Sequence, residues 1–482
     1  MMTKRDHGDH RTISTRHIVF FVIAAAAPLT AVLGGSPVAF AYGNGPGVPF
    51  VYLLVGLLYL LFSACFTAMS PYVGGTAGFY AYVTLGLGPG IGASVAAVAI
   101  ATYQAIALGA YGLFGVFAVQ ASSSLLGWSP PWWVLTLPVA LAVHLCGRRA
   151  VTFSGNLLAL CMAGEVAILL ALGIVILMHH EGALAIVPPA TVFGPGLGVA
   201  IVFVVASFIG FEATVIFGEE TDDPARVIPR ATAIAVLAIA LFYGFSTWTI
   251  MLHYGPDAIK VAAETDPANL YLTPIRLLLG GLALGIAQGL LLISVFACIL
   301  SFHATIARYL AGLAHERLCD ARLGLLHPVH GSPHHAGSAQ TLASVVMVIV
   351  AAGLGLDPYS QVFAWAGAFA SLGILAMQLI TMLAVIRFFH ARALPVGWWK
   401  SKAAPMLAAA GLLAALILST LNLGLIAGTK SAAVFLLPGL LVVVAAGGAV
   451  GFRRRRRHAD LVSPDVQSQH LVERVDDEPV RA

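Results

Sequence analysis

Long apolar runs separated by short polar stretches recur along nearly the whole chain. They lie at 18–42, 48–70, 90–118, 132–147, 156–178, 196–218, 232–253, 275–313, 341–355, 360–388, 405–426 and 432–452. A helix needs about 20 predominantly apolar residues to cross a bilayer. The ninth run is short, and the third and eighth are long enough to imply tilt or continuation into a loop. The pattern predicts an all-α polytopic membrane protein with about 12 transmembrane helices.

Two runs carry an interruption. The first contains Gly34-Gly35-Ser36-Pro37, where two glycines and a proline disfavour a continuous helix. The sixth contains Ser207-Phe208-Ile209-Gly210-Phe211-Glu212, where a glycine precedes a carboxylate by two residues. Each interrupted run opens a block of five, which predicts a 5+5 inverted repeat with helices 1 and 6 broken, followed by two extra helices. Repeat one covers about 18–178, repeat two about 196–388 and the extra helices about 405–452, within a transmembrane domain at 18–452. A tail at 1–17 precedes it. A polar, charged tail at 453–482 follows and is predicted to be disordered.

Composition agrees with the pattern. Of 482 residues, 59% are hydrophobic and 10% charged, and the mean hydropathy of +0.92 excludes an ordinary soluble domain. The polar, basic start and Ala39-Phe40-Ala41 imitate a cleavable leader. The apolar run is too long for one and further spans follow, so it reads as the first span. Five scattered cysteines show no metal-ligand spacing.

The placement of charge matters more than the net value. With both termini in the cytoplasm, 22 of the 25 Lys and Arg residues fall on the inside, leaving Lys260, Arg276 and Lys430 outside. That segregation follows the positive-inside rule and supports the span count. Arg453 to Arg457 directly after the last span reads as a topology anchor that touches anionic lipid.

Candidate chemistry concentrates at the interruptions. A carboxylate inside a membrane span costs about 2.5 kcal/mol or more and is a functional site by default. Glu212 therefore reads as a protonation or gating group, with a structural acid hydrogen-bonded to freed amides as the bland alternative. Glu165, the acid of the fifth run, reads as a second proton or cation site near the span-one break. Phe208 and Phe211 flank the break as packing groups or a lid. Gly34, Gly35 and Ser36 offer backbone N–H groups of the kind that bind a carboxylate. Close helix packing is the alternative for such small residues.

Glu219, Glu220, Asp222 and Asp223 stand beside Arg226 and Arg230, as a cytoplasmic gate or a solvated ion-pair cluster. Tyr103, Gln104, Ser301, His303 and Thr305 are expected to bond between helices. Gly86 to Gly92 imitates a dinucleotide loop without the preceding strand. His327, His330, His334 and His335 lack nearby ligands at metal spacing. No nucleotide-binding domain is legible, and nothing points to nucleic acid.

The chain resembles a bacterial permease of the amino acid–polyamine–organocation superfamily, from about Ile18 to Phe389 and weakly to the end. Its strongest motif is Phe208 to Glu212 followed by Gly218-Glu219-Glu220, Pro224 and Ile228-Pro229-Arg230. Ala27-Pro28-Leu29-Thr30, Ala77 to Tyr82, Phe302-His303 and Ala307 to Leu310 add weaker matches. The resemblance implies a leucine-transporter-like fold in the cytoplasmic membrane and alternating access. It also implies a substrate carboxylate on amides of Gly34 to Ser36, and an amino group on carbonyls near Ala31, Val32 and Phe208 to Gly210. Some relatives carry a lysine where Glu165 aligns, and many have Asn where this chain has Ala304.

These readings converge on a secondary active transporter, symporter or antiporter, for an amino acid or related small organic amine. It would need no cofactor beyond a coupling proton or sodium ion. An amine or polyamine exchanger of the same fold is the runner-up. A membrane-embedded enzyme using His144 or His303, or a transporter-derived sensor, fits fewer of the residues.

Overall fold

The computed structural model describes residues 15, 19, 27–73, 78–149, 155–212, 214, 223–392, 397–426 and 435–462. Among these residues every regular element is helical and no strand occurs. Hydrocarbon offers backbone groups no outside partner, so a helix must satisfy them within the segment.

Three consecutive helical pieces, Pro28–Thr30, Ala31–Gly35 and Ser36–Tyr42, form α1. The remaining long elements are α2 (Val48–Met69), α3 (Gly78–Leu87), α4 (Pro89–Leu126), α5 (Trp132–Arg148), α6 (Gly155–His179) and α7 (Leu197–Phe208). They continue with α8 (Pro224–Tyr254), α9 (Gly281–His315), α10 (His334–Gly353), α11 (Ala364–Ala391), α12 (Ala404–Leu421) and α13 (Leu437–Val462). Among the described residues nine helices are long and apolar enough to cross a membrane, namely α2, α4, α6 and α8 to α13. The apolar helices α3, α5 and α7 are shorter.

The long and short runs resolve individually. The third run is α4, whose 38 residues span roughly 57 Å at 1.5 Å per residue, well beyond a hydrocarbon layer of about 30 Å. The eighth run divides in two. A π-helical turn Ile275–Leu279 ends at Gly280, whose φ of 91° favours glycine, and α9 starts beyond it. The ninth run, expected at 341–355, is a full helix beginning at His334. Hydropathy passes over its first turns because 334–340 reads His-His-Ala-Gly-Ser-Ala-Gln, with little apolar character, and the polar groups that follow bond to neighbours. Gln104 of α4 donates to Ser344 at 2.8 Å, and Thr341 faces His144 at 3.2 Å and His303 at 3.0 Å.

Helix contacts follow the rule for membranes, where close packing and polar bonds replace the hydrophobic drive. α2 lies along α8, α4 along α9, α11 and α13, and α5 along α10. Gly198 of α7 sits so near the Leu418 carbonyl of α12 that a side chain there would overlap it. Ser419 closes that contact by donating to Gly198 O at 3.2 Å.

Candidate functional site

The two interruptions take different forms. In α1 the expected break at Gly34 to Pro37 is a π-helical turn, Ala31–Gly35, running directly into α-helix. Pro37 cannot donate to the preceding turn, and a π turn accommodates that gap without unwinding. α1 begins just after Ala27, which takes φ 45° and ψ 72° before Pro28. In α7 the helix ends at Phe208. Ile209 turns extended, with φ −60° and ψ 131°, and Gly210 takes φ 114°, where any side chain is strained.

Each irregularity leaves backbone groups to satisfy deep in the protein, where an orphan costs about 1–3 kcal/mol. Two carboxylates supply acceptors. Buried Glu165 of α6 accepts from the Leu29 N–H of α1 at 3.0 Å. Beside it, Ser294 of α9 receives Thr30 Oγ1 at 2.9 Å. Glu212, half-buried, accepts from the Gly210 N–H at 2.9 Å and from the Tyr103 hydroxyl of α4 at 3.4 Å. The π turn is closed by hydroxyls. Tyr359 donates to Gly34 O at 2.8 Å, and Ser36 donates to Val32 O at 2.7 Å while sharing a 2.8 Å contact with Tyr271.

Between the interrupted elements lies a cavity of about 100 Å³. Its α1 wall consists of Ala27, Thr30, Ala31 and Gly35, and its α7 wall of Phe203, Ala206, Ser207 and Ile209. Cys298 and Phe302 of α9 line it, and α4 and α11 add apolar residues. The two interrupted walls touch: a Cβ at Gly35 would stand 3.6 Å from Ser207 Oγ.

Of the positions singled out in the sequence, Ala31, Gly35 and Ile209 line this cavity. Val32, Gly34 and Ser36 are buried in the helix contacts just described. Phe208 and Phe211 face α2 instead, with ring centroids 5.2 and 5.0 Å from Tyr59. They wedge the end of α7 against α2, and the aromatic walls of the cavity are Phe203, Phe302 and Phe363. Glu219 and Glu220 lie outside the described residues. Arg226 pairs with Asp223 at 3.6 Å on the exposed start of α8, and Arg230 is exposed one turn further on.

Sequence reading passed over Thr30, Ser207, Phe203, Phe363, Gly109 and Gly367. Ser207 sat inside the noted interruption, and Thr30 and Phe302 inside noted motifs. Gly109 and Gly367 carried no signal beyond being small residues in apolar helices. Among the described residues no group of three or more His, Cys, Asp or Glu is arranged to hold a metal ion.

Comparison with known proteins gives the family. Residues 17–461 match the profile of amino acid permeases. An uncharacterized transporter of Mycobacterium tuberculosis is 26% identical over 255 residues, covering 47% of this chain and 52% of the relative. A Mycobacterium bovis transporter matches to the same extent. The chain thus spans about half the length of these curated relatives. The gamma-aminobutyric acid permease of Escherichia coli is 25% identical over 359 residues, covering 70% of this chain and 72% of that protein. With the profile spanning nearly its whole length and apolar helices throughout, this multi-pass membrane protein belongs to the amino acid permease family.

Proposed function

We propose that the protein is a secondary active transporter carrying an amino acid or related small organic amine across the cytoplasmic membrane by alternating access, with the proton as coupling ion. The carrying observation is the cavity between α1, with its π turn, and the end of α7, each with a backbone amide held by an acid. Irregular backbone beside a cavity at membrane depth is the setting in which transporters bind substrate. Membership of the family and a relative named for gamma-aminobutyric acid support an amino acid substrate.

In this reading twelve spans form the five-plus-five repeat and two added helices. Substrate binds between α1 and α7, and protonation of an acid loosens an amide clamp so that the interrupted helices can rearrange. Glu219, Glu220, Arg226 and Arg230 belong to the inner gate. The decisive experiment is uptake into proteoliposomes of labelled amino acids and amines under imposed proton or sodium gradients. Saturable accumulation driven by a proton gradient is expected. Uptake that never saturates, or none for any compound, would remove the proposal.

Orientation carries its own prediction. The distribution of Lys and Arg puts both termini and the 221–230 segment in the cytoplasm. In a background lacking the native cysteines, Ala225→Cys should resist an impermeant thiol reagent in sealed cells and react once they are opened. Reaction in sealed cells would reverse the topology.

A further inference from the structure

The cavity's walls differ in chemistry, and the difference bears on the substrate. The hydroxyl residues that line it, Thr30 and Ser207, come from α1 and α7. The opposite walls, α4 and α11, present only carbon: Ile106, Gly109 and Leu113 on one side, Gly367 and Ala370 on the other, with Phe363 just before α11. Among the described residues no charged side chain lines it. Glu165 and Glu212 are both directed at backbone amides at the ends of the interrupted helices.

Resting on the transporter reading above, we infer that the space between α4 and α11 is a side-chain pocket. It takes a small, uncharged aliphatic amino acid in preference to cationic, acidic or aromatic ones and to polyamines. An ammonium or carboxylate lodged between these walls would lose its water without gaining a partner, a heavy penalty. Size favours the smaller side chains. An engineered cavity of 150 Å³ holds benzene, about 25 Å³ per carbon, and the whole cavity of about 100 Å³ has to take the substrate's backbone as well as its side chain. That favours alanine and valine over leucine and disfavours a benzyl group.

Two glycines make that size preference adjustable. A Cβ on Gly109 would stand 3.5 Å from Ala366, and one on Gly367 would stand 3.5 Å from Phe203. These are ordinary contact distances, so alanine fits at either position without forcing the helices apart. Each added methyl removes about one carbon's worth of cavity. One methylene in an apolar pocket discriminates by about tenfold or more.

The test uses purified full-length protein in proteoliposomes and compares uptake of L-alanine, L-valine, L-leucine, L-phenylalanine, L-lysine, L-glutamate and putrescine. Small aliphatic amino acids should be carried best, and L-lysine, L-glutamate and putrescine should neither enter nor compete. Gly367→Ala and Gly109→Ala should each lower the leucine-to-alanine uptake ratio about tenfold, and Phe363→Ala should raise phenylalanine uptake. Preferred transport of a charged or aromatic compound, or an unchanged ratio in both glycine variants, would overturn the inference while leaving a working transporter. Absence of uptake for every compound would instead overturn the transporter reading, and this inference with it.

Discussion

Glu212→Gln is expected to abolish proton-driven accumulation while substrate exchange continues. The physical reason lies in what glutamine retains. Its side-chain carbonyl still accepts from the Gly210 N–H, now held at 2.9 Å by the carboxylate, so the turn after α7 keeps its clamp and loses only the titrating group. Exchange needs the cavity to open to both sides but does not require a proton to be released. Glu212 stands in the glycine turn after α7, whereas Glu165 lies within α6, buried against α1. The acid on the turn that rearranges is the better placed to trade protons with water as the gates open. Glu165→Gln should therefore transport more nearly as wild type. Glu165→Ala should instead lose about 1–3 kcal/mol of stability, because the Leu29 N–H is left without its acceptor. Uptake, counterflow and thermal stability measured together separate these outcomes. Accumulation surviving in the double glutamine variant would take the proton role from both acids.

How much of this was legible in the sequence differs from element to element. Apolar runs of bilayer length mark helices because hydrocarbon forces backbone pairing within the segment, and most of the described helices lie where such runs predict them. The start of α10 was hidden because His334 to Gln340 is mostly polar or small, and only contacts such as His303 with Gly337 O and Gln340 with Ser344 tie those turns into the bundle. Gly210 announced its turn, since a glycine before an intramembrane acid has few other uses. Pro37 announced a disturbance in α1 but not its kind. A π turn and an unwound segment both relieve a missing N–H, and the choice depends on Tyr359 and Tyr271, which are distant in sequence. The direction of Phe208 and Phe211 was likewise unreadable. Aromatic residues beside a break can cover a cavity or brace a neighbour, and here Tyr59 on α2 decides.

Filling the cavity should eliminate binding while the protein still folds. Gly35→Leu adds four carbons beside Ser207, about 100 Å³ at about 25 Å³ per carbon, which equals the space available. Gly210→Leu acts differently, by imposing a side chain at φ 114°, a strain of about 1–3 kcal/mol that shifts the turn and Glu212 with it. Gly35→Ala, whose single methyl meets nothing closer than 3.6 Å, should weaken binding only in part and so separates loss of space from loss of fold. The measurement closest to the central claim is equilibrium binding of the best radiolabelled substrate of the uptake panel to purified wild type and Gly35→Leu, both verified as folded. Saturable binding by the wild type and none by Gly35→Leu is the predicted result; equal affinity in the two would show that substrate does not bind between α1 and α7.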